Sequence, residues 1–177
     1  RTLYHMEYSL SGLEILWEYS MPENRNGYFV DVILGDFDND GTVELIAAAY
    51  QESSNDIFYI FTSDFLGIYG DTPIITGLDN STITIMNPRK LYAMEEDMNN
   101  RRMFILSQGS PNRKVILCNY INGKISVLDL LGNDFLSNTI SPIDVILGDF
   151  NGDSLEDILL LDNGSQPKGH LVYSDGS

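Results

Sequence analysis

Asp31-Val32-Ile33-Leu34-Gly35-Asp36-Phe37 and Asp144-Val145-Ile146-Leu147-Gly148-Asp149-Phe150 are one heptapeptide written twice in the same chain. Each copy runs straight into an acidic loop. The first continues Asp38-Asn39-Asp40-Gly41-Thr42-Val43-Glu44, and the second Asn151-Gly152-Asp153-Ser154-Leu155-Glu156-Asp157. Counting from Asp36 and Asp149, both loops place an oxygen-bearing side chain at positions one, three, five and nine. An internal repeat that carries a hard-cation pattern bears on architecture and chemistry together.

Calcium takes six to eight oxygen ligands, and a tight turn aims alternate side chains inward to supply them. In the first loop these are Asp36, Asp38 and Asp40, with Glu44 closing the set. Gly41 at position six permits the sharp turn. Thr42 at position seven is expected to give its backbone carbonyl. The second loop offers Asp149, Asn151, Asp153, the Leu155 carbonyl and Asp157. It has Ser154 where glycine is preferred and one charge fewer at position three, so weaker binding is expected there. Acidic turns without a metal are common between strands. Two such loops in phase, each behind the same heptapeptide, favour a cation, because the carboxylates of each would otherwise repel one another.

The EF-hand begins in the same way but needs an acidic residue at position twelve and a helix on each side. Position twelve is Ala47 in the first loop and Leu160 in the second, which excludes dockerin-type loops as well. The flanks Val32-Ile33-Leu34, Leu45-Ile46-Ala47, Val145-Ile146-Leu147 and Ile158-Leu159-Leu160-Leu161 are short apolar runs rich in branched residues, which read as buried strands. The loops therefore sit in strand–loop–strand units.

The two copies lie 113 residues apart, which halves to about 56 and asks for a third unit midway. Leu91–Leu106 meets that expectation as strand, polar loop, strand. Glu95, Asp97 and Asn99 fall at positions one, three and five, but Met103 stands at nine and Arg101 and Arg102 intrude. This is a degenerate copy without a cation site. Strands are expected at 29–35, 43–50, 57–63 and 82–87 in the first unit, and at 90–95, 103–107, 114–120 and 124–129 in the second. In the third they fall at 143–149, 156–161 and 170–174. Asn122-Gly123 signals a two-residue hairpin. Leu3–Ser9 and Glu14–Tyr19 look like the last strands of a preceding unit. The division is then 1–20, 28–88, 89–130 and 141–177. Repeated four-stranded units at this spacing predict an all-β chain of β-propeller blades. About three units are too few for a ring of four to eight blades, so a segment of a larger propeller is expected, completed by blades of the same or another chain.

With 177 residues and 43% hydrophobic content, the chain can bury a real core. Its formal net charge of −16 makes nucleic acid and anionic membrane surfaces poor partners. No apolar stretch approaches the length of a membrane span, so no direct insertion is expected. The lone Cys118 lies in the apolar run Val115–Cys118 and reads as a buried hydrophobe. The sequons Asn80-Ser81-Thr82 and Asn163-Gly164-Ser165 matter only in a secreted eukaryotic protein.

The unit resembles the FG-GAP repeat of integrin-α-type propellers and the related VCBS-like repeats. The match is carried by Gly35–Gly41 with Glu44 and by Gly148–Asp153 with Asp157. The resemblance implies one structural Ca²⁺ in each intact loop and an extracellular or cell-surface setting. Glu44 departs from the usual Asp at position nine, Ser154 departs from the usual Gly at position six, and the literal Phe-Gly and Gly-Ala-Pro elements are absent. Two function classes follow. One is a non-catalytic scaffold, adhesion or protein/glycan interaction module, with no catalytic residues. The alternative is a segment of a glycan-degrading hydrolase or lyase. That chemistry needs only a carboxylate pair, and Glu95, Glu96 and Asp97 form the spare acidic cluster. His5 and His170, the only histidines, are expected as surface or strand residues, and no nucleophile, phosphate-loop or zinc pattern is present.

Overall fold

Leu45, Ala47 and Ala49 point one way from their strand, and Ile46 and Ala48 the other. All five are buried. A strand sends successive side chains to opposite faces, so an unbroken apolar run is the mark of a sheet covered on both sides. That is the principle of the whole architecture, seen in a computed structural model that describes residues 1–51, 57–64, 67–78, 88–97, 100–107, 114–121, 123–131, 142–163 and 167–174.

The described residues contain no helix, and their thirteen strands form four antiparallel sheets in chain order. The first is a hairpin of β1 (Thr2–Ser9) and β2 (Gly12–Ser20). The second is β3 (Gly27–Gly35), β4 (Glu44–Gln51), β5 (Phe58–Thr62) and β6 (Ile74–Thr76). The third is β7 (Pro88–Asp97), β8 (Asn100–Ser107), β9 (Lys114–Ile121) and β10 (Lys124–Leu131). The fourth is β11 (Pro142–Gly148), β12 (Asp157–Asp162) and β13 (Lys168–Val172). Every sheet is a simple up-and-down meander, the topology that local hairpin pairing gives at least loop-closure cost.

Three cores hold the sheets together, one between each successive pair. Trp17, with Leu3 and Tyr19, packs on Leu45, Ala47, Tyr59 and Phe61. Ile33, Phe37, Ile46 and Ile60 meet Leu91, Met103, Ile105 and Ile116. Met94, Leu106 and Val115 meet Val145, Ile158 and Leu160. Edge-to-face aromatic contacts tighten the first, with Trp17 at 5.0 Å from Phe61 and Tyr19 at 4.9 Å from Phe61 between ring centroids, the geometry that aromatic quadrupoles favour. Cys118 is fully buried in the middle core, as its apolar run foretold.

The sequence reading placed the fourth strand of the first unit at 82–87. In the structure Ile74–Thr76 pairs with β5 instead. It is only three residues long, too short for a periodicity signal, and 82–87 lies outside the described residues. The sequon at Asn80–Thr82 lies outside them too, as do Gly164 and Ser165 of the other. The two-residue hairpin is present, since Ile121 pairs with Lys124 and Gly123 is left-handed at φ 78°. Asn122 is not among the described residues.

The degenerate middle unit differs from expectation in an instructive way. Its polar loop is largely replaced by ladder, with Met94 opposite Arg102, Glu95 opposite Arg101 and Asp97 opposite Asn100.

Candidate metal centre

Gly35 pairs with Glu44 and Gly148 with Asp157, and each pair closes its ladder. The residues between them form the two acidic loops. Position nine is thus the first residue of the second strand, and its side chain turns back under the loop. Glu44 Oε2 accepts from Phe37 N at 2.8 Å, and Asp157 Oδ2 from Phe150 N at 2.9 Å. Asp157 Oδ1 also accepts from Ser174 N at 3.0 Å. Glu44 and Asp157 are both buried.

Position one organises each turn. Asp36 accepts from Asp40 N at 3.1 Å and from Gly41 N at 3.0 Å. Asp149 accepts from Gly152 N, Asp153 N and Ser154 N at 2.6, 3.1 and 2.9 Å. Position five then caps position seven. Asp40 Oδ1 accepts from Thr42 N at 2.8 Å and from Thr42 Oγ1 at 2.6 Å, while Asp153 Oδ1 accepts from Leu155 N at 2.8 Å. Both loops have left-handed backbone at positions four and six, in Asn39 (φ 59°) and Gly41 (φ 87°) of the first and Gly152 (φ 85°) and Ser154 (φ 71°) of the second. One glycine serves each loop, at a different one of the two positions.

The loops differ in how they gather charge. Asp36, Asp38 and Asp40 bring carboxylate oxygens within 4.8 Å of one another, a grouping able to hold a metal ion and the one of its kind among the described residues. In the second loop Asn151 replaces a carboxylate, and its Nδ2 donates to Asp153 Oδ2 at 2.9 Å. Asn151 Oδ1 accepts from Asp153 N at 2.8 Å.

Burial, followed by the charge of Asp40, raises the Asp38 carboxyl above its ordinary range. Burial lifts Glu44 furthest, to about 7, with Asp38, Asp40 and Asp36 adding to the rise against the opposing hydrogen bond from Phe37. Hydrogen bonds from Thr42 lower Asp40, and backbone donors led by Ser154 lower Asp149. The field reaches the next sheet, where burial and then the charge of Asp38 raise the Tyr120 phenol. A buried carboxylate beneath three others is an arrangement that a divalent cation would relieve.

All ten candidate ligands of the two loops are thus placed on matching strand–loop–strand frames. Three carboxylates of the first loop are drawn together, and Glu44 is seated beneath them. Among its described residues the middle unit continues the ladder as far as Asp97 and Asn100 instead.

The sequence reading gave no role to the residue that opens each heptapeptide. Asp31 Oδ2 accepts from Leu91 N at 2.9 Å. Asp144 Oδ1 accepts from Lys90 Nζ at 2.9 Å and from the Tyr92 hydroxyl, and these bonds hold its carboxyl below the usual range. Both aspartates therefore tie their strand to β7 of the next or previous sheet. Bulges mark the same place in all three first strands, at Phe29/Asp31, Pro88/Lys90 and Pro142/Asp144. The available signal was that both copies preserve this aspartate, although it lies outside the cation pattern.

No family model matches this chain, and no curated protein matches it significantly.

Proposed function

We propose that this chain is a calcium-binding β-propeller module that serves as an extracellular scaffold, adhesion or protein/glycan interaction domain. The observation that carries the reading is the Asp36, Asp38 and Asp40 cluster above buried Glu44. Oxygen-only donors suit a hard cation, and the loop's several carboxylates with alternate-residue spacing are of the kind that serves Ca²⁺. The propeller part is supported by successive antiparallel meanders packed face to face in chain order. The ion is structural in this reading, tying β3 to β4 and β11 to β12. Meandering sheets in series also suit a surface on which loops display a binding face.

The glycan-degrading alternative drew on Glu95, Glu96 and Asp97. Their backbone runs in the β7–β8 ladder, and no observation favours it over the scaffold.

Calorimetric titration of chelator-treated protein with Ca²⁺ tests the reading. Saturable binding at two sites is expected, with the tighter one lost in Asp38→Ala. Absence of binding at millimolar Ca²⁺ would remove the cation from the proposal.

A further inference from the structure

We propose that Asn151 is a self-modifying position, which loses its side-chain amide by ring closure onto Gly152 and so gains a carboxylate at position three of the second loop. The modification is independent of any cation. Its effect on affinity rests on the cation site proposed above.

The two loops supply an internal control. Position three is Asp38 in the first and Asn151 in the second. Each loop also holds one asparagine, but the residue that follows it differs. Asn151 precedes Gly152, whereas Asn39 precedes Asp40. The backbone nitrogen of the following residue can attack an asparagine Cγ and close a five-membered ring, a reaction that proximity within one chain favours. A side chain on that residue hinders the approach, and glycine has none. Asn151 and Gly152 are both exposed. Gly152 lies at φ 85°, and nothing stands within 4 Å of a Cβ added to it. The surroundings therefore leave room for the ring and for water.

The groups that the reaction needs are also in place. Ring closure turns Asn151 Oδ1 into an oxyanion, and this oxygen already accepts from Asp153 N at 2.8 Å. A backbone donor so placed stabilises such a charge. The Gly152 N–H must lose its proton, and it donates to Asp149 Oδ1 at 2.6 Å, within reach of proton transfer. The bond from Cγ to Nδ2 then breaks, and the proton leaves with that nitrogen as ammonia. Water opens the cyclic imide. Addition at Cγ gives aspartate, and addition at the backbone carbonyl gives isoaspartate. One water is consumed and one ammonia released, with no change of oxidation state.

The aspartyl product repeats the first loop. Asn151 Nδ2 now donates to Asp153 Oδ2 at 2.9 Å, and that bond disappears with the amide. Positions one, three, five and nine then all carry carboxylates, as they do in the loop where Asp36, Asp38 and Asp40 gather within 4.8 Å. More carboxylate ligands raise Ca²⁺ affinity.

The test is peptide mapping by mass spectrometry on the full chain, folded in chelator at mildly alkaline pH and sampled over weeks. The chain has three more Asn-Gly pairs, at Asn26, Asn122 and Asn163, so the reading must be made site by site. Conversion of Asn151 is expected to outpace that of Asn39 by about tenfold or more, because Asn39 lacks a glycine neighbour. Asn151→Gln is expected to abolish conversion there, since a longer side chain no longer closes a five-membered ring. No conversion at Asn151 in the folded chain would overturn the proposal, as would conversion only in urea or no faster than at Asn39. Calorimetry on Asn151→Asp reads the consequence, and Ca²⁺ binding at the second loop is expected to tighten about tenfold. An unchanged or weaker affinity would overturn the claimed effect on the loop. If neither wild type nor variant binds Ca²⁺, the cation reading fails, and mapping still decides the modification.

Discussion

Ser154→Gly is expected to stabilise this protein, and the size of the gain can be worked from the backbone. Ser154 sits at φ 71°, where an L-residue with a Cβ costs about 1–2 kcal/mol. Glycine removes that cost but gives the unfolded chain more freedom, which returns about 0.4–1 kcal/mol. The net gain is about 0.5–1 kcal/mol by the difference of those two effects. The hydrogen bond that Ser154 gives to Asp149 comes from its backbone N–H and survives the change. The reciprocal substitution, Gly41→Ser, should cost a similar amount, because Gly41 lies at φ 87° and nothing stands within 4 Å of an added Cβ. Steric clash is thereby excluded as a contributor, and conformation alone is tested. Urea unfolding in chelator measures both, with a change of about 1–4 °C in melting temperature as a second reading for a domain of this size. If Ser154→Gly left stability unchanged or lowered it, the left-handed assignment at position six of the second loop would be wrong.

Three further outcomes are expected. Glu44 is raised from 4.5 to about 7, so the cation-free fold holds a proton that the unfolded chain has lost between those values. Its contribution to stability is then full below about 4.5 and falls as pH rises to about 7, a slope that pH-dependent urea titration of the chelated protein can detect and that Glu44→Gln should flatten. The same protonation should weaken Ca²⁺ binding to the first loop about tenfold per pH unit below 7, read by calorimetry. Asp144→Ala strips Lys90 and Tyr92 of their shared partner. It should cost about 1 kcal/mol in urea, discounted because the Lys90–Asp144 pair is partly exposed.

Repetition and patterning made the frame legible. Val32-Ile33-Leu34 and Val145-Ile146-Leu147 were readable as strands because branched apolar residues ran unbroken to a glycine and an acidic turn. Oxygen donors at positions one, three, five and nine mark Asp36, Asp38, Asp40 and Glu44 as one set from the sequence alone. What escaped was set by tertiary context. Ile74–Thr76 is too short to show a period, and only its pairing with β5 makes it a strand. The run of Glu95 to Asn99 kept the acidic spacing of a loop, but ladder formation between Glu95 and Arg101 and between Asp97 and Asn100 overrode it. Burial was legible for Cys118 but not for every residue of the repeat. Phe37 and Phe150 share six preceding residues, so no local rule separates them, and only the presence or absence of a covering sheet does.

The hydrogen bonds of the loops also bear on how a cation would be received. Asp36 is held by two backbone N–H groups and Glu44 by one, so their positions are fixed by the chain and do not depend on an ion. Each carboxylate oxygen has two lone pairs and a single N–H occupies one of them, which leaves acceptor capacity. Asp36, Asp38 and Asp40 stand near one another, and burial first, then the neighbouring carboxylates, raises Asp38 and Glu44. A cation bound there would offset the charge of three neighbouring carboxylates. In the second loop the Asn151 amide already engages Asp153, and that contact must break before both residues can turn inward. The greater charge of the first loop and the Asn151–Asp153 contact in the second account physically for expecting the first loop to fill at lower Ca²⁺.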